Sequence, residues 1–313
     1  MSEHPVTPSA PAGDPRLSYA YYPGCSLHST AEEFDRSTRF CADHLGMTLS
    51  EVPDWICCGS TPAHMTNHVL SLALPAETLL QARKMEPKPK AVIAPCSACY
   101  SRLRIANYEI KEKGMRDKVA EALGEDYPGD MEVRHLLDVV VNDVGLEAIA
   151  EKISRHLHGL KIASYYGCLL TRPHYATHFD DTEHPTSMDR LVEKLGGTPV
   201  DYPFKTDCCG ASFAFSHPDV VWKLTGNILK SIKNAGAQAI MVACPLCQSN
   251  LDLRQSKIAK ELGMEIDLPV FYFTQLLGFC LGGAEKDLEI KKMMISAGDV
   301  MEELELKSAG EVS

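Results

Sequence analysis

The sequence predicts an α/β fold made of two pseudo-symmetric repeats, each a small, mostly parallel sheet flanked by helices. Two observations support this prediction. Short apolar segments alternate with segments of helical periodicity, which is typical of α/β domains. Three cysteine-containing landmarks then recur in the same order at nearly constant spacing. Because such an ordered recurrence is hard to produce by chance, we interpret the chain as two copies of one unit.

The landmarks are a Gly-Cys that ends an aromatic-rich apolar segment, a Cys-Cys-Gly and a Cys-x-x-Cys. They supply five cysteines in each copy: Cys25, Cys57, Cys58, Cys96 and Cys99 in the first, and Cys168, Cys208, Cys209, Cys244 and Cys247 in the second. Each landmark follows a predicted strand. Since open α/β sheets bind ligands beyond the carboxyl ends of their strands, we expect each set to converge at one edge of a sheet.

Each copy is predicted to contain three strands, with helices between them. In the first copy the strands fall at about 18–22, 47–52 and 91–94, and the helices at about 30–44, 62–86 and after the Cys-x-x-Cys. In the second copy the strands fall at 161–166, 198–202 and 239–243, and the helices at 188–196 and 220–236. The predicted domains are a flexible tail (1–17), a first domain (18–130), a helical connection (131–160), a second domain (161–283) and a helical C-terminal tail (284–313).

Composition narrows the class of protein. A chain of 313 residues with 45% hydrophobic and 23% charged residues is typical of a soluble globular protein. The net charge of −11 argues against a nucleic-acid partner, whose phosphates are bound mainly by Lys and Arg. The N-terminus has no apolar signal region, and no apolar segment is long enough to span a membrane. We therefore expect a cytoplasmic protein without a direct membrane span.

Cysteine usage points to metal or redox chemistry. The chain has 12 cysteines, and thiols in a reducing compartment rarely form a disulfide framework. A thioredoxin-like site needs only one pair, and a structural zinc site needs four ligands. Five per copy is also one more than a cubane cluster requires, and the diverging side chains of a Cys-Cys pair suit a polynuclear cluster. The pattern favours iron-sulfur clusters, with zinc and dithiol chemistry as alternatives.

The arrangement of Cys, Cys-Cys-Gly and Cys-x-x-Cys, repeated once, resembles the cysteine-rich CCG domain. A tandem pair on a chain of this length is similar to the family of heterodisulfide reductase B subunits, and the resemblance covers about residues 18–280. It implies that each set of five cysteines holds a noncubane 4Fe-4S cluster. It also implies that the two clusters face a pocket in which a disulfide substrate is reduced to two thiols.

The resemblance implies partners as well. A ferredoxin-like iron-sulfur subunit (the family's C type) and a flavin-containing subunit (the family's A type) would deliver electrons, because the chain has no nucleotide-binding motif of its own. Disulfide reduction takes two electrons, so two clusters that each bind one sulfur would avoid a free thiyl radical. The alternative is a non-catalytic electron-transfer subunit of a lactate, glycolate or glycerol-phosphate oxidising complex.

In each copy, one residue near the first cysteine is a candidate catalytic group. His28 could supply a proton to a leaving thiolate, and Arg172 could bind an anionic group of the substrate. His64 and His217, which follow the Cys-Cys-Gly motifs, are weaker candidates of the same kind. For each of the four, the alternative is a loop residue that faces solvent or caps a helix.

The remaining signals have simpler interpretations. The segment 174–184 is rich in His, Asp and Glu, so a second, non-iron metal site there is a hypothesis set against a solvated loop. Cys41 falls within a predicted helix and has no counterpart in the second repeat, and Cys280 lies in an apolar segment. Both are predicted to be buried free thiols rather than ligands.

Overall fold

The chain folds into two four-stranded sheets connected by helices. The computed structural model describes residues 17–60, 62–214 and 216–311, so that residues 1–16 of the predicted tail lie outside the described residues. The strands are β1 Ser18–Tyr21, β2 Thr48–Glu51, β3 Val92–Ala94, β4 Val133–His135, β5 Lys161–Tyr165, β6 Thr198–Pro199, β7 Ala239–Val242 and β8 Val270–Tyr272.

Helices lie between the strands and continue after the last one. They are α1 Gly24–Leu27, α2 Glu32–Leu45, α3 Ala63–Thr66, α4 His68–Arg83, α5 Ser97–Glu109, α6 Lys113–Leu123, α7 Leu136–Asp138, α8 Leu146–Ala150, α9 Ser187–Lys194, α10 Pro218–Asn234, α11 Pro245–Leu253, α12 Gln255–Leu262, α13 Phe273–Cys280, α14 Glu285–Leu288 and α15 Gly298–Glu311. A π-helical segment covers Val139–Gly145, and short 3-10 helices cover Ala211–Phe213 and Ile290–Lys292. Within the described ranges, no helix is long and apolar enough to cross a membrane.

The two sheets have the same topology. The strand order is β2-β1-β3-β4 in the first and β6-β5-β7-β8 in the second, and the pairings are parallel throughout. The central strands β3 and β7 are buried along their whole length, as expected of parallel strands covered on both faces. The predicted α/β fold with two pseudo-symmetric repeats is confirmed. In the first sheet, β2 lies on one side of β1, and the chain then crosses to the other side to form β3 and β4. In the second sheet, β6 lies on one side of β5 and β7 and β8 lie on the other.

The fourth strand of each sheet was not predicted. β4 and β8 are only three residues long, too short for a periodic signal, and each pairs with the strand that carries the Cys-x-x-Cys. The first sheet therefore extends to His135, within the segment predicted as a helical connection. The predicted strand at 198–202 shrinks to two residues, since Pro199 has no backbone N–H for a sheet hydrogen bond.

The predicted helix at 62–86 is divided in two. Asn67 has an extended backbone between α3 and α4, and its side chain accepts a hydrogen bond from the backbone N–H of Leu70 at 2.9 Å. This side chain satisfies one of the free N–H groups at the start of α4.

The two repeats pack against each other through α2 and the end of the second sheet. The ring of Phe34 stacks on Tyr272 with centroids 4.1 Å apart, and the hydroxyls of Ser37 and Thr274 lie 2.7 Å apart. All four side chains are buried. The junction is therefore a continuous core, which holds the cysteine-bearing edges of the two sheets in a defined relation.

Candidate metal centre

The cysteines of both sets lie beyond the carboxyl ends of parallel strands. In the first repeat, Cys25 follows β1 and the Cys57-Cys58 pair follows β2, while Cys96 follows β3 as the residue that begins α5. The second repeat places its five cysteines in the same way, with Cys244 at the start of α11. All 12 cysteines of the chain are free thiols. The shared strand direction brings three loops of each repeat to one edge.

In the first repeat, the thiols contact one another in pairs. The Sγ atoms of Cys25 and Cys57 lie 3.9 Å apart, and those of Cys58 and Cys99 lie 3.4 Å apart. Cys99 also hydrogen-bonds to Cys96 within the Cys-x-x-Cys. The five predicted residues are thus brought together from separate loops.

The second repeat repeats these contacts. Cys168 hydrogen-bonds to Cys208, the Sγ atoms of Cys209 and Cys247 lie 3.9 Å apart, and Cys247 hydrogen-bonds to Cys244. The buried amide of Asn250 donates to the carbonyl oxygen of Cys209 at 3.1 Å. The second set of five predicted cysteines therefore also converges.

The two sets meet at the first cysteines of their Cys-x-x-Cys motifs. Cys96 and Cys244, each at the start of a helix, hydrogen-bond to each other across the repeat junction. Beside them, the hydroxyl of Ser97 donates to the carbonyl oxygen of Ala243 at 2.8 Å. The thiols of the two repeats consequently form one connected group.

Exposure divides each set into an inner and an outer part. Six thiols are buried: Cys58, Cys96, Cys99, Cys209, Cys244 and Cys247. Cys25, Cys57 and Cys208 are exposed, and Cys168 is partly exposed. In each repeat the first cysteine and the first member of the Cys-Cys pair therefore face solvent, and the other three face the core.

Local hydrogen bonds favour the thiolate at particular positions. A hydrogen bond from Cys168, with the backbone N–H groups of Gly210 and Ala211, lowers the pKa of Cys208 to about 6. Hydrogen bonds from Cys247 and Cys96, together with N–H groups at the start of α11, lower the pKa of Cys244 well below its usual value. Thiolates are the form of cysteine that binds metals, and a helix N-terminus stabilises them.

A pair of equivalent tyrosines supports the Cys-Cys loops. The hydroxyl of Tyr22 donates to the carbonyl oxygen of Ile56 at 2.8 Å, and that of Tyr165 donates to the carbonyl oxygen of Asp207 at 2.7 Å. In both repeats the acceptor directly precedes the Cys-Cys pair. Sequence reasoning missed this role, although the aromatic residue three positions before Cys25 and Cys168 was a signal.

Two equivalent glycines allow a close approach to a thiol. Gly24 and Gly167 have φ of +69° and +67°, a region that favours glycine. A Cβ added at Gly24 would lie 3.0 Å from the Sγ of Cys99, and one at Gly167 would lie 3.0 Å from the Sγ of Cys247. A larger residue at either position would crowd the inner thiols.

His135 is a fully buried residue at the junction that the sequence did not single out. Its Nε2 lies 3.4 Å from the hydroxyl of Ser97, and its Nδ1 accepts the backbone N–H of Leu137 at 3.1 Å. Burial lowers the pKa of His135 to about 4, so the imidazole is neutral. Tyr272 has the equivalent position at the end of β8 in the second sheet.

His28 lies on the loop edge near Cys25. Its Nε2 is 3.2 Å from the carboxylate of Glu51, and its ring contacts Trp55 edge-on with centroids 5.0 Å apart. Its side chain is 46% exposed. The imidazole is thus oriented by a carboxylate while it remains accessible from solvent.

Arg172 supports the loop before the second Cys-Cys pair. Its guanidinium donates to the carbonyl oxygen and the hydroxyl of Thr206, at 3.1 and 3.2 Å, and to the carboxylate of Glu183 at 2.6 Å. Glu183 is largely exposed, with 63% of its side chain accessible. The guanidinium therefore lies close to the loop that carries Cys208 and Cys209, and it is paired with an acid at the surface.

The other candidate histidines lie at the surface. His64 and His217 are both exposed. In the segment 174–184, the rings of His174 and His178 are 5.4 Å apart, and the Nδ1 of His174 contacts the hydroxyl of Thr182 at 3.3 Å. Among the described residues, no three His, Cys, Asp or Glu side chains are arranged to hold a single metal ion.

Cys41 and Cys280 are buried away from both sets. The thiol of Cys41 donates to the carbonyl oxygen of Thr274 at 3.2 Å. Burial raises the pKa of Cys41 and of Cys280. Both behave as buried free thiols, as the sequence predicted.

The donor set fits a polynuclear iron-sulfur group better than a mononuclear metal. The thiols contact one another in successive pairs, so a group held by a whole set would meet them at several points. Thiolates are the ligands of iron-sulfur clusters, and the inner thiols lie in an apolar core. The loop geometry at Gly24 and Gly167 keeps side chains away from two of these thiols.

Comparison with known proteins identifies a cysteine-rich domain in both repeats. Residues 19–104 and 162–252 each match the family described as CCG, a cysteine-rich domain. The chain is 31% identical over 282 residues to the 8-methylmenaquinol:fumarate reductase membrane anchor subunit of Wolinella succinogenes, over 89% of this chain and 97% of that protein.

Two further relatives differ in the reaction that they serve. The chain is 29% identical over 294 residues to the B subunit of the ferredoxin:CoB-CoM heterodisulfide reductase of Methanosarcina mazei, over 92% of this chain and 97% of that protein. It is 25% identical over 239 residues to the glycolate oxidase iron-sulfur subunit of Escherichia coli, over 73% of this chain and 52% of that protein. The matched segments contain all ten cysteines of the two sets.

Proposed function

Because this chain belongs to the cysteine-rich CCG domain family, we propose that it is the disulfide-reducing iron-sulfur subunit of a heterodisulfide reductase-like complex. Its relatives include subunits of multi-subunit reductases, one of them named for heterodisulfide reduction. Another relative, from glycolate oxidase, is named as an iron-sulfur subunit. The disulfide specificity is the part that the proposal adds.

The observation that carries the proposal is the meeting of two complete cysteine sets. Cys96 and Cys244 are in contact at the junction, while the outer members of each set reach solvent. An electron relay needs no symmetric pair of this kind. Two equivalent sites that share an inner contact suit a substrate whose two sulfur atoms must both receive an electron.

Each set would hold one noncubane 4Fe-4S cluster. The ligands would be Cys25, Cys57, Cys58, Cys96 and Cys99 for the first cluster, and Cys168, Cys208, Cys209, Cys244 and Cys247 for the second. When bound, each cluster supplies one electron of the two that disulfide cleavage requires. The buried inner thiols exclude water from the junction, and the exposed outer loops form the approach for the substrate.

His28 and Arg172 act on the substrate in this scheme. His28, oriented by Glu51, donates a proton to a departing thiolate from the accessible loop beside Cys25. Arg172 exchanges its exposed partner Glu183 for an anionic group of the substrate and keeps its bonds to Thr206. A Glu183→Gln variant should then bind an anionic disulfide more tightly, with a lower KM at unchanged kcat.

The electrons come from partner subunits. The proposed sources are a ferredoxin-like iron-sulfur subunit together with a flavin-containing subunit, since the chain carries no flavin or nicotinamide motif. The name of the Methanosarcina mazei relative includes ferredoxin as a reaction partner. Copurification of the tagged protein from its native host, followed by identification of bound subunits and flavin, tests this part.

The first test is iron and acid-labile sulfide per chain in protein purified without oxygen. About eight irons are expected if both sets hold a four-iron cluster. Reduction of the CoB-CoM heterodisulfide and of an anionic aromatic disulfide by reduced viologen is then measured in the intact protein. A Cys168→Ser variant should lose turnover, whereas Cys41→Ser, a change at a thiol outside both sets, should retain it.

The alternative is an electron-transfer subunit without its own substrate, and the relative from glycolate oxidase favours it. Under this alternative, the iron-loaded protein would be oxidised and reduced by artificial carriers but would not turn over any disulfide. About four irons per chain, with one set vacant, would also support the relay. Zinc without iron would overturn both functions.

A further inference from the structure

The two repeats differ at one position beside the inner thiols. Arg102 on α5 and Asn250 on α11 are equivalent, because each lies three residues after the second cysteine of its Cys-x-x-Cys. Residues three apart on a helix share a face, so both side chains lie on the face that carries that cysteine. The first repeat thus has a cation where the second has a neutral amide.

Asn250 shows what this position contacts. Its side-chain amide donates to the carbonyl oxygen of Cys209 at 3.1 Å and lies 3.5 Å from the Sγ of the same residue. Its own oxygen accepts a hydrogen bond from Arg254 at 3.0 Å. In the second repeat, this position therefore contacts the second cysteine of the Cys-Cys pair through a dipole.

Arg102 is placed toward the equivalent cysteine, Cys58. The charge of Arg102 acts on the thiol of Cys58, so the guanidinium lies within electrostatic reach of that residue. Arg102 also lies near His64, where burial and then the Arg102 charge lower the imidazole pKa. These effects place the guanidinium in the electrostatic environment of the first cysteine set.

The guanidinium of Arg102 lacks a full set of hydrogen-bond acceptors. Its Nε is buried, and among the described residues no acceptor bonds to it. Glu109, the acidic residue of the same helix, pairs with His68 at 2.8 Å instead. A buried donor on a charged group is costly when it has no partner, so an anion is expected beside it.

We propose that Arg102 is the counter-charge of the first cluster and makes the two clusters unequal, so that the first cluster takes up an electron before the second. This inference rests on the proposed function. A thiolate-bound four-iron cluster becomes more negative when it is reduced, and a nearby cation stabilises the reduced form more than the oxidised form. Asn250 offers a dipole to the second cluster, and the charge of Arg254 lies one hydrogen bond farther away, behind the Asn250 amide. The second cluster therefore has the lower reduction potential.

The order of electron transfer follows from this difference. A one-electron iron-sulfur donor passes its first electron to the cluster of the first repeat, and the second electron then goes to the second repeat. No bond forms or breaks in this step, and the donor is oxidised by one electron each time. Arg102 acts through the cluster and its ligand Cys58, so it is a positioning residue rather than a catalytic one.

The test is a redox titration of the intact, iron-loaded protein with dithionite, followed by electron paramagnetic resonance. The signals are assigned to repeats with Cys99→Ser and Cys247→Ser. In Arg102→Gln, the ratio of reduced to oxidised first cluster at the wild-type midpoint should fall about tenfold, equivalent to about 59 mV for one electron. The second cluster should keep its midpoint.

Two variants are matched controls. Arg102→Lys retains the positive charge and should keep the first midpoint close to that of the wild type. Asn250→Lys adds a charge to the second repeat and should raise the second midpoint, which narrows or reverses the order. If neither Arg102→Gln nor Asn250→Lys shifts the midpoint potential of the cluster in its own repeat, the inference is wrong. If Arg102→Gln fails to hold iron, the midpoint of the second cluster in Asn250→Lys decides the question alone.

Failure of this inference is distinguishable from failure of the proposed function. A protein with about eight irons, disulfide turnover and two equal potentials would keep the function and exclude the role of Arg102. A protein with two unequal potentials that follow the charge, but without disulfide turnover, would keep the role of Arg102 and exclude the function.

Discussion

Cys96 and Cys244, the first cysteines of the two Cys-x-x-Cys motifs, hydrogen-bond to each other at the junction of the repeats. Each begins a helix that starts just beyond a central strand of its sheet, β3 or β7. The contact joins two sites that are far apart in the sequence. It makes the repeat junction, rather than either repeat, the centre of the proposed chemistry.

Loss of an inner ligand should remove the iron of one repeat only. In Cys244→Ser, the second set loses a ligand that hydrogen-bonds to both Cys96 and Cys247, so we expect iron to fall from about eight to about four per chain. The measurement is iron and sulfide content after anaerobic purification. Cys280→Ser, a change at a buried thiol outside both sets, is the control and should keep all of its iron. Unchanged iron in Cys244→Ser would contradict the ligand assignment.

A methyl group at Gly24 should disturb the first cluster. The added Cβ would lie 3.0 Å from the Sγ of Cys99, and Gly24 has φ of +69°. Gly46→Ala is a matched control, because Gly46 has φ of +76° and nothing within 4 Å of an added Cβ. We expect Gly24→Ala to lose iron from the first repeat, and Gly46→Ala to keep its iron while losing about 1 kcal/mol of stability. Equal iron in the two variants would show that the contact with Cys99 is unimportant.

Removal of the Tyr22 hydroxyl should destabilise the first Cys-Cys loop. In Tyr22→Phe, the carbonyl oxygen of Ile56 loses its donor at 2.8 Å, which should lower the free energy of unfolding by about 1–2 kcal/mol. Urea denaturation checks this value. The control is Tyr108→Phe, whose ring is 52% exposed and which should change stability little. If the urea midpoint falls equally in both variants, the hydrogen bond from Tyr22 to Ile56 does not specifically stabilise this loop.

Asp143, in the π-helical segment that follows the first sheet, should stabilise the fold in a pH-dependent way. Burial raises the pKa of its carboxyl, but hydrogen bonds from Lys90, Tyr19 and Arg134 outweigh it and lower the pKa to about 2. The charged form is favoured in the folded state, so its contribution, on the order of 1 kcal/mol after solvent screening, is complete above about pH 5 and is lost as the pH falls toward 2.

The variant that tests this is Asp143→Asn. It should be less stable than the wild type at pH 7, and the gap should narrow as the pH is lowered from about 5. Urea denaturation at several pH values gives the difference directly. A gap that stays constant with pH would show that the charge of Asp143 contributes nothing beyond its hydrogen bonds.

Much of the architecture could be predicted because it depends on local patterns. The Cys-x-x-Cys and Cys-Cys-Gly motifs and their recurrence identified two repeats and ten cysteines that the structure brings together. Alternating apolar and helical segments identified six of the eight strands in the described part of the chain. Parallel strands place their carboxyl ends at one edge, so convergence within each repeat follows from the order of the elements.

Other features depended on contacts between distant residues. β4 and β8 are three residues each and exist as strands only because β3 and β7 offer them a pairing edge. The pairing of Arg172 with Glu183 and of His28 with Glu51 likewise joins residues whose proximity no spacing rule predicts.

The repeat, the two cysteine sets and the strand ends that carry them are encoded in short-range periodicity and spacing, so they could be predicted without the structure. The contact between Cys96 and Cys244 could not, nor could the placement of Arg102 and Asn250, which differ in charge, beside equivalent thiols. Both depend on the packing of α2 against the second sheet, which sets the distance between the repeats. That packing depends on the complementary shapes of side chains from both halves of the chain, which no local pattern records.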